Sequence, residues 1–116
     1  MTTATYRLFR EAILGEKQVT CVYKSRYREL YPHILGRTGG AEKVLAFQFG
    51  GESNSTLPHG GEWRCLDLQH VTDASLRDGP WRAGTKHRGE QSCVKDIDLD
   101  INVHVRNTRA RGGRKG

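Results

Sequence analysis

The chain contains no run of about 18 apolar residues, so nothing in it is a candidate membrane-spanning helix. Cysteine is scarce and unpaired in sequence. Cys21, Cys65 and Cys93 are an odd set at wide spacing, with no C-x-x-C pair. That excludes a full disulfide framework and gives no support to a zinc site, although His87 and Cys93 with His59 or Cys65 offer the right atoms. Reduced thiols are the expectation. Cys21 and Cys65, inside apolar stretches, read as small hydrophobes. The first residues, MTTATYRLFREAILGEK, lack a basic region followed by an apolar stretch, which argues against a secretory signal and for the cytoplasm. Apolar residues are few as well, 35% of 116 positions against 14 glycines. That balance disfavours a helical bundle and suits one small, loop-rich β domain. No nucleophile motif stands out, so a non-enzyme is expected.

Acid is missing from the last eleven residues, RNTRARGGRKG. Arg106, Arg109, Arg111, Arg114 and Lys115 supply five of the six net positive charges. Such a tail binds polyanions with little sequence preference, or simply solubilises the chain.

Residues 5–14, TYRLFREAIL, place Tyr6, Phe9 and Ile13 on one helical stripe, with Thr5 as N-cap and Gly15 past the end. Strands are expected over 18–24, 26–35, 42–49 and 62–68, with a short fifth strand or single turn over 71–76. Pro32 demands an exposed edge or a bulge in the second strand. GRTGG (36–40) reads as a turn, and the polar stretch 50–61 as a long functional loop. A helix followed by sequential strands is a meander, and a small barrel buries one face of it economically. Residues 77–93 lack periodicity and form a connection in which Trp81 anchors the barrel. Beyond it DIDLDINVHVR alternates strictly, with Ile97, Leu99, Ile101, Val103 and Val105 on one face. This strand either folds back on its own barrel or pairs with a second copy through residues 96–105. Asp96, Asp98 and Asp100 on its other face stand about 7 Å apart, too far to share one ion unaided. No metal or cofactor is expected.

The order EAILGEKQVTCVYKSRYRELYPHIL, KVLAFQF, GEWRCLDLQHV resembles the WYL domain family. Tyr23 matches the aromatic that ends the first strand, and Arg28 to Pro32 matches an R-x-x-x-P segment. Lys43-Val44-Leu45 stands at the naming tripeptide, keeping only its leucine. Arg64 matches the arginine of a later strand, and Gln69-His70-Val71 replaces its Asp-Arg-Ile/Val ending. The resemblance covers roughly residues 6–77. It implies a mainly β fold: a short helix, then a small Sm-like β-barrel over residues 1–77. The extension over 78–105 and the basic tail over 106–116 follow. It also implies a bacterial, non-catalytic module of transcription regulation that senses nucleic acid or nucleotide-like anions. The chain leaves no room for the helix-turn-helix often joined to such domains.

Arg64 shares strand parity with Leu66 and Leu68, so a permanent charge faces the core side. An unpaired charge there is costly, and it requires an anionic partner. That partner is either a carboxylate of the chain (Glu29, Glu42 or Glu62) or an external phosphate. The expected ligand face comprises Arg26, Arg28 and Arg64 for phosphates, Tyr23 and Trp63 for stacking, and His33 and Gln48 as polar selectors.

Overall fold

A computed structural model describes residues 2–51, 61–80 and 91–101. The chain opens with α1 (Ala4–Gly15). Its N-cap is Thr3, whose hydroxyl accepts from the Tyr6 N–H at 3.1 Å. Thr5, the expected cap, lies inside the first turn. The left-handed residue at the far end is Glu16 (φ 52°), not Gly15. Its N–H and that of Lys17 close the last turn on Ile13 and Ala12 carbonyls, at 3.3 and 2.8 Å. Tyr6, Phe9, Ala12 and Ile13 are all buried, so the apolar stripe faces the core as its spacing requires.

Six strands follow: β1 (Gln18–Tyr23), β2 (Arg26–Thr38), β3 (Ala41–Gly51), β4 (Glu62–Asp67), β5 (Val71–Arg77) and β6 (Asp96–Asp100). A single 3-10 turn, Leu68–His70, separates β4 from β5. All pairings are antiparallel, in the order β4-β3-β2-β1-β5, with β6 added to β2. The sheet is therefore open, with β4 and β5 at its ends, where the meander had suggested a closed barrel. Near the opening the end of β4 is tied to β1: the Asp67 N–H donates to the Tyr23 hydroxyl at 3.1 Å.

β2 is longer than the 26–35 expected, and only Gly39–Gly40 of GRTGG turns the chain. Its first half pairs with β1 up to Leu30, and its second half pairs with β6 from Ile34. Pro32 falls between these two partners, where no ladder N–H is needed, and the β2–β3 register shifts between Pro32 and Ile34. The described part of the last strand is thus paired within its own chain. Ile97, expected on the apolar face, is 51% exposed, while Leu99 packs against the core and Ile101 is inside it. A register shift between Leu35 and Gly36 turns Ile97 out of step with the other two. Val103, Val105, Trp81 and all five tail cations lie outside the described residues.

Each face of the sheet has its own apolar cluster. On one, α1 and Ile101 cover Val19, Cys21, Leu30, Leu35, Val44, Ala46 and Leu66. On the other, Val94 and Cys93 cover Ile34, Leu45 and Trp63. This second cover is covalently fixed. Cys65 of β4 and Cys93 form a disulfide with Cα atoms 5.5 Å apart, so the expectation of three reduced thiols fails. Widely spaced cysteines conceal such a pair because the antiparallel sheet, not the local sequence, brings them together. Cys21 alone stays free, buried, its thiol pushed up to about 11 by burial.

Candidate functional site

The site begins with two arginines on the core face of the sheet. Arg28 stands directly across from Cys21 on β1, and Arg64 across from Ala46 on β3. Between them Gln48 of β3 is completely buried. Its side-chain Oε1 accepts from Arg28 Nη1 at 3.0 Å and from Arg64 Nε at 3.2 Å. Its Nε2 donates to the Gly50 carbonyl at 3.0 Å, which fixes the amide orientation. One neutral oxygen therefore serves two guanidinium groups.

That is too little for the donors present. Arg28 Nε and Arg64 Nη2 are buried and make no hydrogen bond among the described residues. Arg28 is only 5% exposed, and none of the chain's ion pairs among the described residues includes it. Burial first, and then the Arg64 charge, push its pKa below the ordinary guanidinium value. Arg64 is better provided: Glu62 Oε2 lies 2.8 Å from its Nη2. Of the internal partners that the sequence allowed, Glu62 is the one used. Glu29 pairs with Arg77, and Glu42 with Arg37.

The two arginines open onto a recess of about 310 Å³, lined by Tyr23, Lys24, Arg28, Trp63, Arg64, Cys65 and Leu66. Lys24 arrives there through the β1–β2 turn. Lys24 and Ser25 both adopt left-handed backbone, φ 50° and 68°, and Tyr23 pairs with Arg26 across them. Such two-residue turns favour Asn-Gly, so Lys-Ser holds a strained conformation beside the recess. The turn sets Lys24 Nζ 5.5 Å from the centre of the Tyr23 ring, and Arg28 Cζ lies 5.4 Å from the same ring.

Of the expected ligand face, Tyr23, Arg28, Gln48, Trp63 and Arg64 come together. Arg26 sits at the hairpin end, outside the lining. His33 belongs to the opposite face, where its ring meets Trp63 edge-on at 4.6 Å and its Nδ1 lies 2.7 Å from the Tyr31 carbonyl. The register shift after Pro32 turns it there. Both aromatics already have partners within the fold. Tyr23 is only 8% exposed and already carries two cations, while Trp63 packs edge-on against Phe47 as well as His33. Residues that the sequence reading left out of the ligand face are Lys24, Glu62 and the Cys65 rim. A lysine in a two-residue break beside a tyrosine was the available signal for the first.

A second recess of about 450 Å³ lies beyond β4, between Lys43, Leu45, Trp63, Arg64 and the Cys65–Cys93 bond. Its lysine is already matched, Lys43 Nζ lying 3.3 Å from Asp67 Oδ2. Burial opposes ionisation of Asp67, yet hydrogen bonds from Gln69 and Lys43 hold its carboxyl below the usual range. Gln69 and His70 occupy the 3-10 turn, with His70 edge-on to Tyr23 at 6.4 Å. No three metal-ligating side chains gather among the described residues. No described helix is long and apolar enough to cross a membrane. Compared with protein-family models, curated proteins and solved structures, the chain matches none.

Proposed function

We propose that the chain is a non-catalytic, ligand-sensing regulatory module. It binds a phosphate-bearing partner, single-stranded nucleic acid or a nucleotide-like anion, at the recess between Arg28 and Arg64. The observation that carries this reading is the buried Arg28 guanidinium: among the described residues it meets a neutral amide and the Tyr23 ring, and its Nε has no acceptor. A buried cation without a counter-ion costs several kcal/mol, on the order seen when one partner of a buried pair is removed. An arriving phosphate supplies both the charge and the missing acceptors. The order of basic and aromatic residues shared with WYL domains supports the same reading. Contact is through phosphate more than through bases, because Tyr23 is closed to stacking.

The cytoplasm is part of this proposal. There the Cys65–Cys93 bond meets a reducing thiol pool, which makes its state in the cell a property to measure. Fluorescence anisotropy with a labelled single-stranded oligonucleotide tests the site. The expected result is that Arg28→Ala/Arg64→Ala weakens binding of the full chain at every salt concentration. Equal affinity of variant and wild type across the series would assign the binding to the basic tail and remove the recess from the function.

A further inference from the structure

We infer that the recess is shaped for a doubly charged phosphate, a terminal phosphomonoester or a diphosphate, and that Glu62 is the internal anion this group displaces. The inference rests on the anion-binding reading above and adds what the anion is and what it competes with.

Its basis is the contact between Glu62 and Arg64. Oε2 lies 2.8 Å from Nη2, yet that buried nitrogen makes no hydrogen bond among the described residues. The carboxylate is near enough to balance charge but lies off the N–H directions, where a charge-assisted bond gains most. Its side chain is 41% exposed, so it moves into water at little cost, as exposed ion pairs generally do. Glu62 is also on an end strand, bonded through its backbone to β3 only. Displacing the carboxylate leaves the strand in place.

What replaces it must satisfy more than Arg64. Arg28 Nε is the second buried donor without an acceptor among the described residues, and Lys24 adds a third cation at the recess. Gln48 turns its oxygen to both arginines and donates from its nitrogen to the Gly50 carbonyl, so it supplies neutral bonds and no charge. The lining thus asks for several acceptor oxygens and more than one negative charge in a small volume. An internal phosphodiester offers one charge and two free oxygens. A phosphomonoester or diphosphate offers more of both.

Calorimetric titration of the full chain with inorganic pyrophosphate is the test, run on wild type and Glu62→Gln. The expected result is binding about tenfold tighter in Glu62→Gln, the equivalent of about 1.4 kcal/mol of removed competition. AMP, adenosine, and one oligonucleotide with and without a 5′-phosphate complete the set. AMP binds and adenosine does not; the phosphorylated oligonucleotide exceeds its hydroxyl counterpart. Comparing AMP with the phosphorylated oligonucleotide tells a free nucleotide from a nucleic-acid end, and either is consistent with the inference. Unchanged or weaker pyrophosphate binding in Glu62→Gln overturns Glu62 as competitor, and Glu62→Ala checks that the result is not peculiar to glutamine. Adenosine binding as well as AMP overturns the phosphate assignment while leaving a ligand site. Absence of pyrophosphate binding in both proteins overturns the anion reading itself.

Discussion

Tyr6 shows how a single residue couples the fold to pH. Its hydroxyl donates to Asp98 Oδ2 at 2.7 Å, joining α1 to β6. Burial, followed by the Asp98 bond and charge, raises its pKa from 10.0 to about 12. The folded chain therefore holds this proton more tightly than the unfolded one. The resulting stability is complete below pH 10 and is lost as pH rises from there to about 12. Urea unfolding across that range should show wild type losing more stability than Tyr6→Phe; parallel curves would remove the linkage. Tyr6 was legible as a core residue from helical spacing. Its partner was not, because Asp98 read as a solvent-facing acid and the helix contact is 92 positions away. The same division holds at the site. Arg64 could be questioned from strand parity alone, and its carboxylate was among three candidates. Gln48 could be named, but its bridging role depends on the register of β2, β3 and β4, which no local pattern encodes.

At the scale of elements, the strands were legible where alternation and turn residues agreed, and less so where the register slips. β2 carries slips at Pro32 and at Gly36, and these decide the positions of His33 and Ile97. Gly36 also sets the approach of β6. A Cβ there would stand 2.0 Å from the Asp96 carbonyl oxygen and 2.7 Å from Val94 Cγ1. Backbone does not yield as a flexible side chain does, so Gly36→Ala must push β6 outward. The expected cost is about 1–3 kcal/mol, as for other overpacked sites. Hydrogen exchange should show lost protection in 96–100 while β1–β5 remain protected. Full protection of that strand in the variant would show that the two elements have room to spare. The Cys65–Cys93 bond reinforces the same region by fixing the cover of the second face to β4. Three scattered cysteines hid it, since pairing follows from the fold.

The described residues form an open antiparallel sheet packed against α1, and the opening matters more than the strand count. β4 and β5, the two ends of the sheet, do not pair, and the side chains beside β4 are unusual ones for an interior: two arginines, a glutamine and a tyrosine bearing two cations. A closed ladder or an apolar seam would make a better core. Replacing a buried charge by an apolar side chain of similar size is often neutral or stabilising, which is why we assign this charge to a ligand. The measurement that bears on this most directly is pyrophosphate titration of the full chain compared with Arg28→Met. Wild type should bind with a saturable heat that weakens with salt. Arg28→Met should melt at the same or a higher temperature and lose that binding, although its tail is unchanged. A variant that binds as wild type does, or one that unfolds because the arginine is needed for the core, would contradict the claim that residue 28 waits for an external phosphate.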